Sequence, residues 1–112
     1  MVVTLPIHVP PGHEQEGYRP VVVVGLPDRV GVPRYPLIIG VPFTTRGGAW
    51  SEQSPELYPL YRAGRGGLPR DSVAILDHLR SIDARRVMRY MGTLTPTDLE
   101  PIVRGLSVMF AL

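Results

Sequence analysis

Three short clusters hold most of the chemically useful side chains of this chain. The first is Gly12-His13-Glu14-Gln15-Glu16-Gly17-Tyr18-Arg19-Pro20, which runs directly into the apolar stretch Val21–Val24. A carboxylate such as Glu14 can take a proton, and the Arg19 guanidinium presents a planar fork of donors that matches phosphate oxygens. The second is Pro42-Phe43-Thr44-Thr45-Arg46-Gly47-Gly48, at the end of the apolar run Leu37–Val41. Paired hydroxyls at a strand end can hydrogen-bond phosphate oxygens or the charge that develops in a transition state. Phe43 and the nearby Trp50 could stack on bases. The third begins Asp77-His78-Leu79-Arg80 and follows the run Ser72–Leu76. It sets a carboxylate, an imidazole and a guanidinium close together, the groups that move protons and balance charge. Each cluster also has an ordinary reading: a polar turn with a surface ion pair, a threonine-rich strand end closed by Gly47-Gly48, and structural charge pairs after a strand.

Other chemistries lack their residues. There is no Walker loop, no dinucleotide glycine pattern and no metal-ligand spacing. The histidines are His8, His13 and His78, too few and too scattered for a catalytic zinc site. Cysteine is absent, which excludes disulfides, thiolate zinc sites and a cysteine nucleophile, and which fits a reducing cytoplasm. Any hydrolysis is therefore expected to run without a bound metal or cofactor. The basic residues are 12 arginines with no lysine, so a formal charge of only +2 lifts the pI to about 9.4. Seven of them, against three aspartates, fall in residues 62–89, so that segment carries +4 and the rest of the chain −2. A basic segment on a nearly neutral domain is a candidate phosphate-binding surface; a solvated arginine face is the plainer alternative.

The elements that must position these groups follow from the punctuation. The chain has 112 residues, 44% of them apolar and 20% charged, enough for one core and one domain over residues 1–112. Proline (13) and glycine (12) break it into short apolar, β-branched runs: Val21–Val24, Leu37–Val41, Leu57–Arg62, Ser72–Leu76 and Val87–Thr93. That spacing predicts a mainly β domain, a barrel or sandwich. Val21–Val24 is apolar throughout, so both its faces should be covered. Pro59 has no N–H, so its strand should lie at an edge or be interrupted there. Thr95-Pro96-Thr97-Asp98 has the form of a helix start, and Leu99, Ile102, Val103, Leu106, Met109 and Phe110 follow at helical spacing, which predicts a C-terminal amphipathic α-helix. A further helical turn is expected at Ser81–Arg85, and Gly105 is a small cost inside the terminal helix. No apolar run approaches a membrane span, and the first dozen residues lack a basic region followed by a long apolar stretch, so neither a transmembrane chain nor a secretory signal is expected.

Taken in order, the clusters resemble a known family. GHEQEGYRPVVVV is similar to the G-x-E-Q-x-G-x-R-P signature and following strand of the MazF-type toxins, also called PemK or Kid. VPFTT resembles that family's strand ending in paired threonines, ILDHLRSIDARR its D-Q-x-R-x-x-D-x-x-R segment, and GTLTPTDLEPI the entry to its final helix. The resemblance implies an SH3-like barrel of the MazF/Kid/CcdB kind that forms a homodimer, cuts single-stranded RNA without a metal ion, and is held inactive by a MazE-like antitoxin with a disordered acidic tail. By motif, Arg19 and Thr44 stand at the family's catalytic arginine and threonine, Glu14 at its functional glutamate, and Asp77 at an aspartate used for catalysis or RNA binding. Two departures are evident. The usual G-D-[IV] start and acidic turn are missing, with His8 and Pro10-Pro11 instead, so either a shortened first strand or a misassigned start is expected. His78 stands where Gln is common, which predicts a different base preference.

The chemistry expected of such a site is attack by the ribose 2′-hydroxyl on the adjacent phosphorus, leaving a 2′,3′-cyclic phosphate. Arg19 suits charge stabilisation and serves as a candidate acid, Thr44 would donate to a phosphate oxygen, and the base is Glu14 or Asp77, with His13 and His78 as outsiders. Gln15, Phe43, Thr45, Arg46, Trp50, Arg80 and the Arg62–Arg70 loop are candidates for holding RNA. Two rivals share the fold: a gyrase-binding toxin of the CcdB kind, against which the ending Phe110-Ala111-Leu112 counts because those proteins use Trp-Gly-Ile, and a catalytically inactive binding module.

Overall fold

The computed structural model describes residues 3–9 and 17–112. Strands β1 (Val3–Val9), β2 (Gly17–Gly25) and β3 (Leu37–Thr44) form an antiparallel meander. Four short strands complete the sheet: β4 (Leu60–Tyr61), β5 (Ser72–Ala74), β6 (Arg80–Asp83) and β7 (Gly92–Thr93). The order is β4-β5-β3-β2-β1-β7, with β6 also on β3. One edge of β3 serves two partners. Leu37–Gly40 pair with β6, whereas Phe43 and Thr44 pair with β5. A bulge between Val23 and Gly25 adds twist to β2. Beyond β6 the chain returns along β1 through an isolated bridge between Ile7 and Val87 and then β7. The sheet thereby curls towards the expected barrel.

Alternation along β2 puts its apolar residues on both faces. Val22 packs with Val41, Phe43, Tyr61, Leu68, Leu76, Leu94 and Ile102 in the main core. Val21 packs the other way, with Ile7 and Ile82 over a smaller cluster. The continuous apolar run is covered on both sides, as its composition requires. Pro59 is also accommodated as expected: β4 begins immediately after it and is an edge strand.

The C-terminal helix, α2, spans Pro96–Met109; a single-turn helix, α1, spans Ala49–Glu52. Thr95 caps α2, its hydroxyl accepting the Asp98 N–H at 3.1 Å, and Pro96 occupies the first turn. The predicted apolar stripe divides. Leu99, Ile102 and Leu106 pack on the main core, while Val103, Met109 and Phe110 stay exposed. Gly105 has a packing reason: a Cβ there would lie 2.3 Å from Leu76 Cδ1 and 3.0 Å from the Glu56 carbonyl oxygen, so a side chain would force buried Leu76 to shift. Gly67 has a second kind of reason, a φ of +79° combined with close approach to the Met91 carbonyl.

Two local expectations are corrected. Ser81–Arg85 is not a helical turn; Ile82 pairs with Ile38 in β6 and is buried, and the 3-10 turn comes later, at Ala84–Arg86, where the Asp83 carboxylate accepts the Arg85 N–H at 2.9 Å. Of Val87–Thr93, only Gly92–Thr93 form a strand. The first strand runs seven residues, from Val3 to Val9.

Candidate active site

Strand periodicity brings the first two clusters together. Val21 on β2 pairs with Pro42 on β3. Two residues further along each strand are Arg19 and Thr44, so both share the face of that pair. The Arg19 Nε–H donates to the Phe43 carbonyl at 3.1 Å, which anchors the guanidinium across the end of β3. Thr44 is buried, and its hydroxyl accepts the Arg46 N–H at 3.1 Å in a turn that leads the chain out of the strand. The next loop is fixed by Ser51, whose buried hydroxyl donates to the Gly48 carbonyl at 2.9 Å and accepts its N–H at 3.0 Å. That arrangement sets α1 and its exposed Trp50 beside the strand end.

The third cluster arrives through β5. The Ile75 N–H donates to the Pro42 carbonyl at 2.9 Å, extending the ladder, and the chain then turns through a 3-10 turn at Leu76–His78. Buried Leu76 pins that turn to the core, leaving Asp77 and His78 exposed. Together these elements enclose a cleft of about 390 Å³ lined by Arg19, Thr44, Arg46, Trp50, Tyr58, Ile75, Asp77 and His78. The Tyr58 hydroxyl donates to Asp77 Oδ2 at 2.7 Å, and its ring meets Trp50 edge-on, with centroids 4.8 Å apart. The bond to the carboxylate raises the Tyr58 phenol above its usual ionisation range, with desolvation adding to it. The cleft thus joins two guanidinium groups, an imidazole, one carboxylate and an aromatic wall of Trp50 and Tyr58. Among the described residues no group of three or more His, Asp or Glu side chains is placed to hold a metal ion.

Six predicted residues converge here: Arg19, Thr44, Arg46, Trp50, Asp77 and His78. Phe43 does not, and its assignment to base stacking is corrected. Strand alternation turns its ring into the core, fully buried and edge-on to Tyr61 at 5.7 Å. Thr45 is exposed just outside the cleft. Arg80 is exposed opposite Gly40, on the same sheet face as Thr44 but outside the cleft lining. In the basic segment, Arg62, Arg65 and Arg85 form ion pairs with Asp71, Asp98 and Asp83 at 3.0, 3.1 and 2.6 Å, so much of its charge is used internally. His13, Glu14 and Gln15 lie outside the described residues. The sequence reading missed Tyr58 and Ile75. Tyr58 carried one signal, an aromatic with a polar tip placed directly before a strand-breaking proline.

Solved structures similar to this chain include MazF toxins. The chain is similar to the Mycobacterium tuberculosis toxin MazF-mt6, with a TM-score of 0.71 at 17% identity over 98% of this chain and 97% of that one. It is also similar to MazF from Deinococcus radiodurans, with a TM-score of 0.71 at 24% identity over 98% and 94%. A third similar structure is a mycobacterial endoribonuclease in complex with its cognate antitoxin, with a TM-score of 0.69 at 16% identity over 97% and 91%. The fold class is therefore a mainly antiparallel, barrel-like β domain with a C-terminal helix. Sequence makes the assignment finer: residues 1–110 match the family of PemK-like, MazF-like toxins of type II toxin–antitoxin systems, and the chain belongs to that family. No curated protein sequence matches it. No helix among the described residues is long and apolar enough to cross a membrane.

Proposed function

We propose that this protein is a metal-independent endoribonuclease toxin that cleaves single-stranded RNA, mRNA in the cell, and is neutralised by a cognate MazE-like antitoxin. The observation that carries the reading is the convergence of Arg19, Thr44 and Asp77, from three separate segments, on one cleft of about 390 Å³. That volume lies in the range of small-ligand pockets, about 300–1,000 Å³, and suits a nucleotide unit.

The chemistry follows from the groups present. Asp77 takes the proton of the 2′-hydroxyl, whose oxygen bonds to phosphorus as the bond from phosphorus to O5′ breaks. Arg19 and the Thr44 hydroxyl bear on the phosphate oxygens, where negative charge builds up. O5′ leaves with a proton supplied by Arg19, and the products are a 2′,3′-cyclic phosphate and a 5′-hydroxyl. DNA lacks the nucleophile and is not cut. Trp50 offers a plane for an unstacked base, and His78, where the family commonly has Gln, reads a base edge. Glu14, five positions before Arg19 in the same sequence motif, is retained as a supporting acid–base group.

The exposed apolar residues of α2, Val103, Val108, Met109 and Phe110, support a homodimer, in which a second copy would cover them. The cationic side of the cleft and the exposed Arg80 and Arg89 support docking of an acidic antitoxin segment that orders on binding and blocks the cleft. Two similar structures, the mycobacterial endoribonuclease and MazE–MazF from Deinococcus radiodurans, are complexes with antitoxins. The test is incubation of the purified protein with mixed-sequence single-stranded RNA in EDTA. Discrete cuts by the wild type, lost in Arg19→Ala, support the reading; dependence on magnesium overturns it.

A further inference from the structure

Tyr58 and Asp77 are 19 positions apart, yet their hydrogen bond is laced in from both sides. The Tyr58 N–H donates to the Ser54 carbonyl at 3.0 Å. The Leu76 N–H donates to the Leu57 carbonyl at 3.3 Å, and the Ala74 N–H to the Pro59 carbonyl at 2.9 Å. The segment that carries the phenol and the turn that carries the carboxylate are thus tied on each side of the bond. Trp50 braces the ring edge-on. Helix α2 supports the unit from behind through Gly105, where a Cβ would lie 2.3 Å from Leu76 Cδ1 and 3.0 Å from the Glu56 carbonyl oxygen.

We infer that Tyr58 is a positioning residue for the reaction: its phenol holds Oδ2 of Asp77, fixes the carboxylate plane, and leaves Oδ1 to accept the 2′-hydroxyl proton. The inference rests on the reading of Asp77 as the general base. A base works when its acceptor atom is held within hydrogen-bond reach of the proton it takes, and a carboxylate free to rotate loses that geometry for much of the time. The raised ionisation of Tyr58 keeps the phenol a donor throughout the neutral range. Because the same ring abuts Trp50, a base seated on the indole would press on the residue that aims the catalytic carboxylate.

The test is single-turnover cleavage of one defined single-stranded transcript by Tyr58→Phe, with KM measured separately. The variant keeps the ring and its contact with Trp50. The expected result is a roughly tenfold fall in kcat, the size expected for a lost hydrogen bond to a charged group, with KM within about twofold. In an Asp77→Asn background the same substitution should cost less than about twofold. A readout that needs no activity is the tyrosine absorbance titration. In Asp77→Asn, one phenol should ionise at lower pH, closer to about 10. A wild-type rate in Tyr58→Phe, equal losses in both backgrounds, or an unchanged tyrosine titration in Asp77→Asn would overturn the positioning role. Wild-type cleavage by Asp77→Asn would instead overturn the assignment of the base itself.

Discussion

Replacing Arg19 by alanine removes two things at once. The Nε–H no longer donates to the Phe43 carbonyl, a bond of 3.1 Å in the present structure, and the positive charge leaves the cleft. The first loss is a matter of stability. A hydrogen bond from a charged group contributes about 1.5–3 kcal/mol when buried, and Arg19 is only half-buried, so about 1 kcal/mol and a Tm lower by several degrees are expected. The second loss is a matter of rate. Removal of one donor aimed at transition-state charge costs about 10²–10³ in rate, or about 3–4 kcal/mol of barrier. The two effects differ enough to be separated: the protein stays folded at 25 °C while cleavage nearly vanishes. Arg19→Lys refines the expectation. The ammonium keeps the charge but has no planar fork, so it cannot hold the Phe43 carbonyl and a phosphate oxygen together, and its rate should fall between alanine and wild type. The assay is single-turnover cleavage of a 5′-fluorescent single-stranded RNA in EDTA, read on a denaturing gel, with a thermal melt beside it. An Arg19→Ala protein that melts normally and cuts within about threefold of wild type refutes the reasoning, since no chemistry would then depend on the group the fold anchors there.

Thr44→Val is nearly isosteric but removes the hydroxyl that accepts the Arg46 N–H, so it should cost about 1 kcal/mol in the melt and at least about tenfold in rate on the same gel. Phe43→Leu should lower Tm by opening the core around Tyr61 while leaving the cut sites unchanged, because the ring never faces the cleft; primer extension on a long transcript checks this. His78→Gln should change which sites are cut, with the rate at the best site within about threefold, seen in the same primer-extension map. Burial, followed by the charge of Asp98, pushes the Tyr61 phenol up to about 12, so this group's contribution is intact below about 10, where the unfolded phenol ionises, and is lost as pH rises towards 12. Denaturant melts across that window should show the loss, and Tyr61→Phe should reduce its steepness.

The sequence made the β runs legible where local chemistry and long-range packing agree. Val21–Val24 demanded cover on two faces and has it, and Thr95-Pro96 marks the start of α2 because capping is decided within four residues. The misplacements come from pairing. Ser81–Arg85 contains nothing that forbids a turn, and only the partner strand Leu37–Gly40 makes Arg80–Asp83 extended. The division of the α2 stripe is of the same kind, since helical spacing does not say how wide a strip the core can cover. At the site, Arg19, Thr44 and Asp77 were legible as residues through motif resemblance, but their convergence depends on the β2–β3 register and on β5 continuing that ladder. Phe43 shows the converse. An aromatic next to Thr44 looked like a stacking platform, yet neighbours on a strand point to opposite faces. Tyr58 escaped notice because its partner is 19 residues away.

The most direct measurement uses two RNA strands of one sequence, one all-ribose and one with a single 2′-deoxy nucleotide on the 5′ side of a mapped cut, incubated with the wild-type protein in EDTA. The account predicts that the all-ribose strand is cut to a 2′,3′-cyclic phosphate by mass spectrometry and that the substituted strand stays intact at that position. Cleavage of the substituted strand there, or a product ending in a 3′-hydroxyl, would contradict it.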